Sequence, residues 1–108
     1  MSMMDATKKK KLEAAGWRVG SAADFLELTP EEVEIIEVKL ALGNYIRSIR
    51  KEHRWTQTQV AKRIGSSQSR VAKMEAADPS VTVDLQMKSL FSLGKSTQDV
   101  CRVMARQV

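Results

Sequence analysis

The chain has 108 residues, a formal net charge of +5 from 18 Lys and Arg against 13 Asp and Glu, and 43% hydrophobic residues. This length suits one domain of typical size, and the balance of apolar and charged residues is that of a globular protein. A single cysteine excludes an internal disulfide and a CxxC zinc site, and it fits a reducing compartment. No apolar run reaches the ~18–20 residues that span a membrane, and no apolar segment typical of a secretory signal follows the N-terminal lysines. We therefore expect a small basic cytoplasmic protein without a membrane span.

Residues 1–28 are predicted to form a short helical N-terminal extension. The four lysines at 8–11 lack helical periodicity and are expected to form a solvated tail, with a flexible arm that contacts phosphates as the alternative. A short helical stretch then ends at Gly16, and Ser21 can cap a second brief helix.

The clearest helix start opens the remaining segment, 29–108, which we predict to be the main domain. Thr29 is placed as the N-cap, Pro30 as the first helical residue, and Glu32 as the second half of a capping box. The apolar periodicity predicts one long helix to about residues 51–53. Gly43 interrupts it at a cost of ~1 kcal/mol relative to Ala, which a close packing contact would offset.

Two short helices follow with the same start pattern. Thr56 caps the first, with Gln59 completing a capping box, and Gly65 ends it. Ser67 then caps the second after only one intervening residue. Two short capped helices joined by a glycine-led turn are typical of a helix-turn-helix.

The residue types in this segment also fit such a motif. Ala61 is small enough to let the two helices approach closely, and Gly65 suits the left-handed backbone that the turn requires. Val71 and Met74 fall on one side of the second short helix and are predicted to face the first. Each of these residues has a steric reason to stand where it does.

Two further helices complete the predicted fold. A turn at 78–80 precedes a helix capped by Thr82 and ended by Gly94, and Ser96 or Thr97 begins the last helix. Strand alternation does not extend beyond four residues anywhere in the sequence. The sequence therefore predicts an all-α bundle of about five helices.

Residues 40–94, about half of the chain, resemble the Xre/Cro-C1 repressor-type helix-turn-helix domain. The resemblance is carried by an I-R-x-x-R run from Ile46, a T-Q-x-x-x-A run from Thr56, and G-S-S-Q-S-R-V-x-K-M-E at 65–75. It implies a domain that binds double-stranded DNA in the major groove through its third helix.

The resemblance assigns base contacts to Gln68, Ser69 and Lys73. Glutamine pairs with adenine and lysine with guanine in the major groove, while the short serine hydroxyl reaches a base directly or through water. The resemblance also implies that Gln57 contacts a phosphate and braces Gln68.

Charge is distributed unevenly along the chain. Residues 46–73 carry eight Lys and Arg against one acid, a net +7, whereas residues 21–37 carry six acids and no base, a net −6. Attraction to phosphates is therefore expected to concentrate on the helix-turn-helix. Besides Gln57, the predicted phosphate contacts are Arg47, Arg50, Arg54, Lys62 and Arg70.

These observations predict a sequence-specific transcriptional regulator, a repressor that binds a palindromic operator as a homodimer and associates with the nucleoid. The last helix, with Val100, Val103 and Met104, and the extra apolar positions of the long helix are alternative dimer surfaces. The K-L-E-A-A-G-W-x-V-G run at 11–20 and the acidic T-P-E-E segment at 29–32 resemble those of HigA-like antitoxins of type II toxin–antitoxin modules. On that resemblance residues 1–28 contact a toxin, and both a free-standing regulator and an antitoxin stay open.

Two other classes of function are weighed against this one. A helix-turn-helix adaptor that binds proteins without reading DNA is disfavoured by the polar third helix and its basic surroundings. An enzyme is not expected, because the sequence has no nucleophile–base pair, paired carboxylates or metal-ligand spacing. We expect no cofactor and no metal, and Trp17 and Trp55 are interpreted as packing anchors.

Overall fold

The computed structural model describes residues 28–105, and every regular element in that range is an α-helix. The helices are α1 (Pro30–Glu52), α2 (Gln57–Ile64), α3 (Gln68–Glu75), α4 (Val83–Ser92) and α5 (Thr97–Ala105). The predicted all-α bundle of about five helices is confirmed. The predicted helices of the extension and Trp17 lie outside the described residues. No helix between residues 28 and 105 combines the length and the hydropathy that crossing a membrane requires.

The long helix α1 begins as its sequence predicts. The Thr29 hydroxyl accepts a hydrogen bond from the Glu32 N–H at 3.2 Å, and the Glu32 carboxylate accepts one from the Thr29 N–H at 3.0 Å. Pro30 is the first helical residue, where a missing N–H costs nothing. His53 caps the other end, and α3, α4 and α5 all pack against α1. The helix is therefore the support against which α3, α4 and α5 are arranged.

Side-chain caps also fix the starts of the later helices. Thr56 and Gln59 form a second complete capping box, and Thr82 accepts a hydrogen bond from the Leu85 N–H at 3.1 Å. Ser96 precedes α5 and exchanges hydrogen bonds with Asp99. The bonds from the Ser96 N–H and hydroxyl hold the pKa of Asp99 below its ordinary value. The last helix thus starts at Thr97, one of the two predicted positions.

The turn predicted at 78–80 is confirmed. The Asp78 carboxylate accepts hydrogen bonds from the Ser80 N–H at 2.8 Å and the Ser80 hydroxyl at 2.6 Å, and these bonds lower the pKa of Asp78. Ala77, just before the turn, has a left-handed backbone with φ 53°. The chain leaves α3 through this turn and enters α4.

One apolar core joins all five helices. Its buried members are Leu42, Ile46, Ile49, Val60, Ala61, Val71, Met74, Val81, Leu90 and Val100. The orientation of α3 relative to α2 is therefore set by packing against α1 and α4 as well as by the turn between them.

Gly43 lies in the middle of α1 where the end of α3 crosses it. A Cβ at this position would lie 2.5 Å from the Met74 carbonyl oxygen and 3.0 Å from the Glu75 carbonyl oxygen. These atoms are backbone atoms that cannot rotate away. The sequence predicted that a close packing contact would offset the cost of a glycine inside α1. That contact is the approach of α3 to Gly43.

Candidate nucleic-acid interface

The turn between α2 and α3 is built around one left-handed residue. Gly65 has φ 68° and ψ 40°, and its N–H bonds to the Ala61 carbonyl. The Ser66 N–H also donates to the Ala61 carbonyl, at 2.8 Å, so two N–H groups bond to the final turn of α2. Ser67 then starts α3, its hydroxyl accepting a hydrogen bond from the Arg70 N–H at 3.1 Å. This arrangement lets α3 begin only four residues after α2 ends.

Helix α3 has one buried and one exposed side. Val71 and Met74 are fully buried in the core. Gln68, Ser69 and Lys73 are exposed. The structure therefore places all three predicted base-contacting residues on the surface of one short helix that carries no large apolar side chain outward.

A chain of side-chain hydrogen bonds crosses from α3 to α2 and back. Gln68 Nε2 donates to Gln57 Oε1 at 2.7 Å, and Gln57 Nε2 donates to Glu75 Oε1 at 3.3 Å. The bracing contact between the two glutamines is therefore present. Because one N–H of Gln68 is used by Gln57, its carbonyl oxygen and second N–H stay available, and these are the groups that pair with an adenine.

Glu75 is the buried acceptor at the centre of this network. Arg50 Nε lies 2.7 Å from Glu75 Oε2 and Arg50 Nη2 lies 3.0 Å from Glu75 Oε1, so the pair is bidentate. Arg50 Nη1 also donates to the Trp55 carbonyl at 3.2 Å. The hydrogen bonds to Glu75 raise the pKa of Arg50. The ion pair ties the end of α1 to the end of α3.

This geometry changes the interpretation of Arg50. Its side chain is 18% exposed and that of Glu75 is 1% exposed. The guanidinium is thus turned toward Glu75 rather than toward the open surface where the sequence predicted a phosphate contact. A buried carboxylate requires a paired cation, and Arg50 supplies it.

The other predicted phosphate contacts are more accessible. Arg47 is 47% exposed, although its Nε lies 3.5 Å from Glu75 Oε1. Arg54, Lys62 and Arg70 are exposed, and Arg54 has a left-handed backbone with φ 58°. Together they surround α2 and α3 with positive charge, which is the electrostatic property of a surface that binds a polyanion.

Sequence reasoning missed the role of Glu75. Its position offered one signal: it stands four residues after Val71 and next to Met74, on the buried side of a short helix. A carboxylate in such a position must have a cationic partner. The sequence does not show which of the nearby arginines supplies that partner.

Trp55 forms a stacked arrangement at the start of α2. Its ring lies parallel to the His53 ring with centroids 4.3 Å apart, and the Arg63 guanidinium lies 4.0 Å from its centroid. Trp55 is half-buried and packs against the core, which agrees with its predicted role as an anchor. Arg63 is therefore engaged with an aromatic ring.

Comparison with known proteins identifies the same segment. Residues 46–85 match a family model described as helix-turn-helix. This range contains the end of α1, all of α2 and α3, and the first turn of α4. No curated protein and no solved structure gives a significant match to the chain. Within residues 28–105 no group of three or more His, Cys, Asp and Glu side chains is arranged to hold a metal ion. The chain therefore contains a helix-turn-helix domain of the Xre/Cro type, a DNA-binding domain of transcription regulators.

Proposed function

We propose that the protein is a cytoplasmic repressor that binds a specific operator by inserting α3 into the major groove. The observation that carries this proposal is the hydrogen-bonded chain from Gln68 through Gln57 to Glu75. It holds the Gln68 amide in a fixed orientation at the exposed start of α3. Orientation matters because bidentate pairing with a base requires both polar atoms of the amide in one plane with the base edge.

Base reading is assigned to three residues of α3. Gln68 pairs with an adenine through its carbonyl oxygen and its second N–H. Lys73, one and a half turns later, donates to a guanine, and the Ser69 hydroxyl contacts a base directly or through water. All three are exposed, so none must leave a packed position to reach DNA.

Phosphate contacts are assigned to the residues around α3. Gln57, Arg47, Arg54, Lys62 and Arg70 form this group. Arg50 is left out because its guanidinium is bonded to Glu75 and to the Trp55 carbonyl. Four residues of this group are cations, so with about four phosphates neutralised per monomer the logarithm of the binding constant should fall with that of the salt concentration at a slope of about −4.

The repressor is proposed to act as a homodimer on a palindrome with half-sites about one helical turn, ~34 Å, apart. Helix α5 supports this with two half-buried apolar side chains, Val103 and Met104. Val100 is fully buried in the core and is not available to a partner. The proposed dimer surface on α5 therefore has two apolar side chains rather than the three that its sequence indicates.

The antitoxin role is proposed as the biological setting of this repressor. It rests on the resemblance of residues 1–28 to the extensions of HigA-like antitoxins and on the acidic charge of 21–37, which suits a basic toxin. Growth arrest caused by the product of a neighbouring gene, and relieved by this protein, would support it. A protein without such a neighbour would be a free-standing regulator.

Fluorescence anisotropy with DNA from upstream of the gene tests base reading. Gln68→Ala and Lys73→Ala should each lose ~1–3 kcal/mol of binding free energy on the operator and almost nothing on unrelated DNA. Arg70→Ala should weaken binding to every sequence and reduce the salt slope by about one. Lys95→Ala, outside α2 and α3, serves as the charge-matched control.

Two outcomes would contradict the proposal. Equal losses on operator and unrelated DNA for Gln68→Ala would remove the base-reading role. Absence of any sequence preference in the unmodified protein would favour the protein-interaction adaptor instead. The helix-turn-helix would then serve as a scaffold.

A further inference from the structure

A cleft of about 120 Å³ opens between the helix-turn-helix turn and α4. Gly65 and Ser66 of the turn form one wall, Arg70 of α3 forms the second, and Lys88 and Ser89 of α4 form the third. A space of this size holds several water molecules, since one needs ~10–15 Å³. It therefore has room for a small polar ligand.

The Ser66 side chain has a hydroxyl that no group in the described part of the chain engages. Its oxygen is buried and has no hydrogen-bond partner within residues 28–105. The Ser89 hydroxyl on the opposite wall, by contrast, donates to the Leu85 carbonyl at 2.9 Å and lies 3.3 Å from the Met74 sulfur. Buried hydroxyls are nearly always hydrogen-bonded, so Ser66 indicates a partner that residues 28–105 do not supply.

The charges around the cleft indicate what kind of partner that is. Arg70 and Lys88 are exposed, and neither forms an ion pair in the part of the chain that the structure describes. No carboxylate lines the cleft. Two unpaired cations beside an unused hydroxyl donor favour a ligand that is anionic and accepts several hydrogen bonds.

We propose that this cleft binds a phosphate group, with Ser66, Arg70 and Lys88 as its ligands. The Ser66 hydroxyl donates to one phosphate oxygen, while the guanidinium and the ammonium donate to others. The group is either a free phosphate or a phosphate of the DNA backbone, and both present the same oxygens. Because the binding of free phosphate does not depend on DNA recognition, this proposal can hold even if the proposed function fails.

The test is an NMR titration of the full chain without DNA. Amide signals of Ser66 and Lys88 are followed as inorganic phosphate replaces sodium chloride at constant ionic strength. We expect saturable shifts, and Ser66→Ala and Lys88→Gln should each weaken binding about tenfold, because each removes a hydrogen bond to a charged group. Ser66→Ala should keep the fold, because it removes a buried hydroxyl that has no partner.

Lys95→Gln is the matched control, since it removes the same charge from outside the cleft. It should change phosphate affinity less than twofold. Shifts that never saturate, or an equal loss in Lys95→Gln, would mean diffuse charge attraction and would overturn the site. Repeating the titration on protein saturated with duplex DNA separates the two sources. If the DNA-saturated protein no longer binds inorganic phosphate in the cleft, the cleft's ligand is a phosphate of the DNA backbone. If it still binds inorganic phosphate there, the ligand is a free phosphate.

Discussion

The two ends of α3 differ sharply in how the protein holds them. At its start, Gln68 and Ser69 are exposed, and the side-chain contact to the rest of the molecule is the hydrogen bond from Gln68 to Gln57. At its end, Met74 and Glu75 are buried. An eight-residue helix is thus anchored at one end and presented to solvent at the other.

Three contacts with two other helices hold the end of α3 in place, and together we call them the anchor. Gly43 of α1 lets the Met74 carbonyl approach closely, and Gln86 of α4 donates to that same carbonyl at 3.0 Å. Arg50 of α1 pairs with Glu75. Stability should therefore reside at the end of α3, and base recognition at its start. Residues that read DNA can then change without unfolding the domain.

Glu75→Ala should give the largest effect. It leaves the Arg50 guanidinium partly buried without its anion and removes the acceptor of Gln57. Breaking a buried pair from one side costs ~3–5 kcal/mol, and the partial exposure of Arg50 places the expected loss near ~3 kcal/mol. Urea unfolding followed by circular dichroism measures it.

Glu75→Gln and Glu52→Ala provide the controls. The amide of the first variant keeps an oxygen that accepts from Arg50, so a smaller loss is expected. Glu52 is exposed at the end of α1, and its removal should change the unfolding free energy by less than ~0.5 kcal/mol. If Glu75→Ala lowered the unfolding free energy by less than ~1 kcal/mol, the Arg50–Glu75 pair would not be what anchors the end of α3.

Gly43→Ala should follow in size. The added methyl meets the Met74 carbonyl oxygen at 2.5 Å, and such overpacking costs ~1–3 kcal/mol. The gain of ~1 kcal/mol in helix propensity offsets part of this, which leaves a net loss of up to ~2 kcal/mol. Thermal unfolding checks the value. Asn44→Ala, an exposed neighbour, should be neutral or slightly stabilising, and a stabilised Gly43→Ala would show that α3 can move away.

The starts and ends of the helices could be predicted because their signals are local. The two complete capping boxes, at Thr29 and at Thr56, join residues only three apart, and both are observed. The left-handed turn at Gly65 is equally local. Such features depend on a few neighbouring residues, so a single sequence contains all the information they need.

The anchor could not be predicted in the same way. Arg50 and Glu75 are 25 residues apart, and in the sequence Arg50 is one of eight basic residues in a segment that suggests phosphate binding. Which arginine turns inward depends on how α1 crosses α3. The partner of Gly43 depends on the same crossing. The Gln57–Gln68 contact was predicted only through the family resemblance, since spacing alone does not bring two helices together.

Gln57→Ala and Gln68→Ala test the exposed start of α3. Gln68→Ala should change the unfolding free energy by less than ~0.5 kcal/mol because Gln68 is exposed, whereas Gln57→Ala should cost about 1 kcal/mol because half-buried Gln57 donates to Glu75. On the operator, the two effects should be coupled by ~1 kcal/mol, since Gln57 orients the Gln68 amide. Anisotropy on both single variants and the double variant measures this coupling. Additive losses would mean that Gln68 reads DNA without being braced.

At Arg54 the expected effect on folding stability is smaller than at Gln57. Two substitutions of this one residue distinguish an effect on stability from an effect on DNA binding. Its φ of 58° is unfavourable for a residue with a Cβ, and strained backbone of this kind concentrates at functional surfaces. Arg54→Gly should therefore stabilise folding by ~0.5–1 kcal/mol, whereas Arg54→Ala keeps the strain and should leave stability nearly unchanged. Both variants lose the same charge, so both should weaken DNA binding equally and lower the salt slope by about one.

Equal stability of the two would show that the left-handed backbone costs nothing at this position. Unchanged DNA binding in both would remove Arg54 from the phosphate-contacting surface and confine that surface to Gln57, Arg47, Lys62 and Arg70.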